Sequence, residues 1–458
     1  MLIKCAMERM TAKVGMEILK SKKKKIAIIG AGPAGVMAGI TASKRGLDVI
    51  IFERNEKIGK KLFITGKGRC NLTNACEAEE FFEHLNGNKK FMYSAFYGFD
   101  NRSVMDFIEE NGCPVKIERG NRVFPVSDHS CDVIQALKNA LKDTNCKVRL
   151  NEKIESISVK KESGFVKKES DSDNKEICPG ESQSEKTIFV LETLEHKKYE
   201  FDGLILATGG KSYTSTGSTG DGYKFAKAFG HTITNLRPSL LPLKIKEEWC
   251  PMLQGLSLKN VSLTMMNGKK KVFSEMGEML FTHEGVSGPL VLTASSFYAR
   301  LKETENVELI LDLKPALTTE QLDKRFQREF EDGNLKQLHN ILPALYPARL
   351  ATLIPDLADV DRYKKVNTIS REERNRLVSV TKGIKMTVTG TASFEEAIIT
   401  CGGVSLKEVN PSTMESKLVP GLFFAGEILD LDAHTGGYNL QIAWSTGHLA
   451  GENILSDE

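Results

Sequence analysis

The chain of 458 residues lacks a long apolar run, a strong charge of either sign and any close cysteine pairing, and only 7% of its residues are aromatic. With no stretch of about twenty apolar residues, it offers no transmembrane helix. Lys4, Glu8, Arg9, Lys13 and Glu17 interrupt the opening segment, so it has no apolar core of the kind a signal peptide needs. A cytoplasmic protein with no membrane partner is expected. The formal net charge of +3 is too weak a field to draw nucleic acid. One basic run, at 22–25, reads as the solvated lead-in to a strand. Nine cysteines stand at uneven intervals with no CxxC, which excludes a disulfide framework and a cysteine metal set, so no metal is expected.

What is present begins at residue 25. The segment KIAIIGAGPAGVMAGITASKRGLDVIIFER reads as a buried strand, a glycine turn, a helix and a parallel second strand. Helical periodicity follows at 127–141 and strand patterns at 147–159. The stretch 160–186 is polar and reads as a surface loop or disordered insertion. IFVLETL and FDGLILATGG are further strands. Between 238 and 313 the pattern alternates, with a hairpin signal at Asn267 and Gly268. Residues 318–357 read as helix divided by Pro343 and Pro347, and 421–454 as a strand, a glycine turn and a closing helix.

Gly30, Gly32 and Gly35 form GxGxxG between a strand and a helix, with Ala31, Pro33 and Ala34 completing the turn. The first glycine permits the tight turn, the second lets a pyrophosphate approach the backbone, and the third lets helix and sheet touch. Free N–H groups at the helix start then face the phosphates. Glu53, followed by Arg54, ends the second strand, where a carboxylate can accept from ribose hydroxyls and disfavours a 2′-phosphate. No second such unit occurs, because GSTGDG (217–222) follows polar residues, so a dedicated NADPH domain is not expected. At 433–441 the order Ala-His-Thr-Gly-Gly-Tyr-Asn-Leu-Gln opens the last helix. Its N–H groups could stabilise negative charge on a reduced flavin.

Several marks are specific together: GKGRCNLTN (66–74), RVFP (122–125), LFTHEGVSGP (280–289), GGV (402–404), TMESK (413–417) and TGGYNLQ (435–441). On these the chain resembles the bacterial NAD(P)/FAD-dependent oxidoreductases of the BaiN/RdsA, or HI-type, family from residue 25 onward. The resemblance implies an α/β fold: a two-segment Rossmann-like FAD-binding domain with an inserted β-barrel-like domain and a small helical subdomain. The expected layout is an N-terminal extension at 1–24, the FAD domain at 25–236 and 390–458, the barrel at 237–315 and 369–389, and the helical subdomain at 316–368. It further implies that Lys61, Gly66, Arg69, Cys70 and Asn71 lie along the flavin, that Ile154 packs by the adenine, and that Asn439 and Leu440 meet the ring. Likeness to two-dinucleotide-fold flavoproteins brings Ala207, Thr208 and Gly209 past the cofactor, and Gly426 and Glu427 to the ribityl chain and pyrophosphate. Gly437 and Tyr438 complete the expected contacts.

The reaction expected is NAD(P)H-dependent reduction of a conjugated enone, such as a 3-oxo-Δ4,6 bile-acid intermediate, by FAD with NADH or NADPH as a transient donor. Tyr438 and His434 are the first candidates for polarising the substrate carbonyl, with Arg122 and His283 behind them. Each has a structural alternative as a capping or packing residue. Cys70 and Cys76 have five residues between them, so burial of Cys70 competes with a redox disulfide. Two other functions stay open: an aminoacetone oxidase-like amine oxidase, and a flavin-stabilised RNA- or protein-binding module. A small-molecule substrate is expected, nucleic acid is not, and the oligomeric state is left open.

Overall fold

The computed structural model describes residues 23–164 and 184–456, so most of the expected N-terminal extension and positions 165–183 of the polar insertion lie outside it. The described chain divides into two compact units, the first running to Leu236 and resuming at 402–432 and 436 onward, the second formed by Arg237–Cys401 with Ala433–Thr435. Residues 390–401, expected with the FAD domain, therefore pack in the second unit.

In the first unit β1 (Lys25–Ile29), α1 (Pro33–Lys44) and β2 (Asp48–Phe52) follow the sequence pattern closely. Ile26, Ala27 and Ile28 are wholly buried, as a central strand covered on both faces requires. The segment 147–159, expected as strand material, falls into two strands. β3 (Lys147–Arg149) joins β2 in parallel, whereas β4 (Ile154–Gly164) pairs antiparallel with β5 (Ser184–Thr193). That ladder extends into both ends of the stretch read as a polar loop, because antiparallel pairing satisfies the backbone groups of a polar segment. β6 (Lys198–Phe201) adds to β5, and β7 (Gly203–Leu206) returns beside β1.

The second unit holds β8 (Leu243–Ile245), β9 (Ser257–Asn267), β10 (Lys270–Phe281), β11 (Gly285–Ser287), β12 (Val307–Asp312) and, later in the chain, a strand at Ile384–Thr391. These six close a barrel in which every pairing is antiparallel. β9 turns into β10 at Asn267-Gly268, with Gly268 at φ +56°. Val307, Leu309 and Leu311 alternate inward along β12. α2 (Thr319–Asp332), α3 (Ala348–Leu357) and α4 (Arg371–Lys382) share one continuous core with the strands, through Phe326, Leu350, Ile354 and Leu377. The range 369–389, assigned to the barrel from sequence, thus opens with a helix. Ser370 and Glu373 form its capping box, which prevails over a weak apolar pattern.

The strand at Ile384–Thr391 is β13. The chain then re-enters the first unit, where β14 (Leu422–Phe424) pairs in parallel with β7 and completes a five-stranded sheet ordered β14-β7-β1-β2-β3. α5 (Tyr438–Asn453) closes the unit against α1. A Cβ on Gly447 would stand 2.3 Å from the Ala34 carbonyl oxygen, and one on Gly451 2.7 Å from that of Ala38. These glycines let the two helix backbones touch.

Candidate active site

The close helix pair runs parallel, with the start of α1 level with Gly447, ten residues into α5, so the two helix starts are offset by roughly 15 Å along one side of the first unit. α1 begins at Gly32, in extended geometry, and α5 at Gly437, with φ +101°; neither start is capped by a side-chain hydrogen bond. Their first N–H groups and positive dipole ends are suited to anions. Glycine is required around the first turn by close approach. A Cβ on Gly30 would lie 2.5 Å from the Ala207 oxygen, and one on Gly35 1.9 Å from the Gly30 oxygen. A Cβ on Gly32, by contrast, would meet nothing within 4 Å. That opening is what a pyrophosphate needs above a glycine turn.

Two distant sequence motifs meet at α5. A Cβ on Gly437 would sit 2.3 Å from the Thr73 oxygen, Thr73 Oγ1 donates to Gln441 Oε1 at 2.6 Å, and Trp444 Nε1 donates to the Leu72 carbonyl at 2.9 Å. Asn74 Nδ2 also donates to the Gly436 carbonyl at 3.1 Å. Beside this junction the 65–70 loop turns through left-handed conformations at Gly66, Lys67, Gly68 and Cys70. Asn71 Oδ1 is buried with no hydrogen-bond partner among the described residues. An orphaned buried acceptor next to an open glycine turn fits a polar ligand in this region.

A charged cluster supports the same end of the sheet. Lys61 Nζ donates to Glu427 Oε2 at 2.7 Å and to Ser212 Oγ at 2.8 Å, and Ser212 Oγ donates to Glu427 Oε1 at 2.9 Å. Gly209, at φ +72°, carries the chain past Glu427, where a Cβ would be 4.0 Å from Oε2. A Cβ on Gly426 would approach that of Ala34 to 2.8 Å, so the residues after β7 and β14 both border the start of α1.

These features accord with comparison to known proteins. The family model described as "HI0933-like protein Rossmann domain" matches residues 24–453. The chain belongs to that family. It is a flavin-dependent oxidoreductase, and the HI0933-like family is an FAD-binding one. It is 29% identical over 431 residues to a 3-dehydro-bile acid Δ(4,6)-reductase of Clostridium scindens, covering 93% of this chain and 98% of that one. It is 30% identical over 429 residues to a ribosomal RNA dihydrouridine synthase of Haemophilus influenzae, covering 93% and 97%. An Escherichia coli protein of the same name is 28% identical over 433 residues, covering 94% and 97%.

Within this HI0933-like chain several expected residues have partners that the sequence did not reveal. Glu53 Oε2 accepts from the Ala31 N–H at 2.8 Å, and Oε1 from the Asn55 N–H and Nδ2, so the carboxylate braces the glycine turn and keeps acceptor capacity on Oε2. Arg54 Nη1 donates to Thr219 Oγ1 and pairs with Asp221 at 3.0 Å. Arg69 is held by Glu118 and Asp128 and lies 4.1 Å over the Phe124 ring, and the two acids raise its guanidinium pKa further. Ile154 is buried at the head of β4. Cys70 and Cys76 are both free, and burial pushes the first thiol up to about 12 and the second to about 11. Such thiols stay protonated at neutral pH, which disfavours redox exchange.

Each expected catalytic candidate has its own surroundings. Tyr438 is buried and stacked on His84 with ring centroids 4.4 Å apart, and its hydroxyl bonds the Cys76 thiol. Burial also holds His84 below the usual histidine range. His434 belongs to the second unit, where its ring tilts against Phe297 at 5.3 Å. His283 is exposed in the turn between β10 and β11, and Arg122 is exposed with Nε donating to the Arg119 carbonyl.

One cluster escaped the sequence reading altogether. Ser416 Oγ lies 2.8 Å from His231 Nε2, and His231 Nδ1 lies 3.3 Å from Glu408 Oε2. The arrangement resembles a hydrolase triad, yet Ser416 Oγ is buried and accepts the N–H groups of Leu418 and Val419. A hydroxyl so engaged is a poor nucleophile, and the trio instead pins the chain leading into β14.

Proposed function

We propose that this HI0933-like protein reduces a carbon–carbon double bond conjugated to a carbonyl, drawing electrons from NADH or NADPH. The supporting observation is the pair of uncapped helix starts at Pro33 and Tyr438, on two parallel helices held side by side by Gly447 and Gly451. In this reading the turn of Gly30, Ala31, Gly32, Pro33, Ala34 and Gly35 holds the FAD pyrophosphate, and Glu53 offers Oε2 to the ribose. Lys61, Gly209, Gly426 and Glu427 border the middle of the cofactor, and Gly66, Asn71, Gly437, Asn439 and Leu440 its flavin end. Bound there, FAD would supply the hydride acceptor and donor. The N–H groups of Asn439 and Leu440 stabilise negative charge at the pyrimidine edge, because they stand at a positive dipole end. Tyr438 packs that helix start in place through His84 and Cys76 and does not act as a proton donor.

The relatives support the bond type. A 3-keto Δ4,6 steroid and the 5,6 bond of uracil both place a carbon–carbon double bond in conjugation with a carbonyl. A small enone of the 3-oxo-Δ4,6 bile-acid kind is the first reading, and a uracil base within RNA the second, favoured by the two dihydrouridine synthase relatives. Anaerobic stopped-flow separates these. NADH or NADPH is expected to bleach the flavin absorbance, and a conjugated enone to restore it under nitrogen. Recovery with a uridine-containing RNA alone selects the second reading. Bleaching by aminoacetone but by neither nicotinamide would overturn both in favour of an amine oxidase.

A further inference from the structure

The second unit carries a basic cavity of about 460 Å³ that the proposed redox site does not use. It is bordered by α2, the segment leading into it and the turn before α3. Four cations line it, Lys314, Lys324, Arg325 and Arg328, and no acidic residue does. Lys324 and Arg328 are four residues apart on α2 and so share a face, a spacing at which like charges repel. Arg325 is offset by Glu329, whose Oε1 lies 2.5 Å from its Nη2. For Lys314, Lys324 and Arg328 no carboxylate stands within ion-pair distance among the described residues.

Lys314 is the most informative of the four. It is half-buried, with Nζ 5.9 Å from the Tyr346 ring centroid as its recorded side-chain contact, and burial together with Arg325 lowers its ammonium pKa. A solvated charge run would place such groups on a convex, open face. Here three uncompensated cations gather around a concavity floored by Leu317, Leu322 and Leu345. Bringing them together costs stability unless an anion offsets it.

We propose that this cavity binds a phosphoryl anion, with its cations on the phosphate oxygens and its leucine floor against the organic part. Arginine offers a forked donor set to such oxygens and lysine a point charge, and the volume is that of a small-molecule site. The phosphate belongs either to a free nucleotide-type ligand or to a polynucleotide backbone. The site is independent of the redox reading, and its test does not depend on turnover.

Calorimetric titration of the FAD-loaded protein with inorganic pyrophosphate and with a short single-stranded RNA, at fixed ionic strength, tests it. Wild type should bind at least one probe, and K314Q/R328Q should weaken that binding on the order of tenfold or more, while K314R retains it. Binding of pyrophosphate identifies a free ligand as the source. Binding of RNA alone, with a salt slope that falls by about 1.4 in the double variant, identifies a backbone. Whichever probe binds should also raise the melting temperature of wild type and leave that of the double variant unchanged. Failure of both probes at millimolar concentration, or equal binding by wild type and the double variant, would overturn the proposal.

Discussion

Replacing Gly32 with aspartate is expected to give a folded, colourless protein. Gly32 is the N-cap of α1 at φ −78° and ψ −178°, a geometry open to any residue, and the space around its missing Cβ is empty to 4 Å. Aspartate is among the best N-caps, so the cofactor-free variant should match or exceed cofactor-free wild type in stability by a few tenths of a kcal/mol. Its carboxylate would at the same time take the N–H groups intended for the pyrophosphate and repel that anion. FAD affinity should fall on the order of a hundredfold or more, which corresponds to roughly 3 kcal/mol of lost binding. Equilibrium titration of FAD with the variant, alongside thermal melts of both cofactor-free proteins, provides the check. Unchanged affinity would mean that the glycine turn does not hold the phosphates.

Gly447→Val should produce the opposite pattern, losing stability and flavin retention together. The added atoms would meet the Ala34 carbonyl oxygen at 2.3 Å, and backbone on both sides leaves no flexible side chain to give way. Overpacking of a tight interface costs about 1–3 kcal/mol, and a backbone clash belongs at the upper end. The melting temperature should drop by roughly 5–10 °C. Because the displaced helix also carries Gly437, Asn439 and Leu440, the flavin that remains bound should be easily lost on gel filtration. A variant with wild-type stability would show that the helix contact has slack, and would remove the reason for the two helices to run side by side.

The contrast between these two glycines explains what the sequence made legible. Gly30, Gly32 and Gly35 sit within one local strand-turn-helix pattern, so their roles follow from spacing alone. Gly447 and Gly451 look like ordinary breaks in a helix until Ala34 and Ala38, some four hundred positions earlier, are seen against them. The same holds for polar partners. Arg54 and Arg69 are expected beside a cofactor, but the sequence does not show that Asp221, Glu118 and Asp128 reach them from other elements. His434 and Tyr438 are candidates because both adjoin the glycine turn that opens the last helix, yet they belong to different units of the chain. The Asn267-Gly268 hairpin was readable because its signal is local. Barrel closure was not, since no short segment encodes which edge strand β8 pairs with.

The central claim is that each chain holds one intact FAD between the start of α1 and the start of α5. Desalted wild-type protein, unfolded by heat, should release close to one equivalent of FAD per chain as measured by absorbance and fluorescence before and after phosphodiesterase. Protein that comes through purification colourless and takes up no added FAD would contradict it.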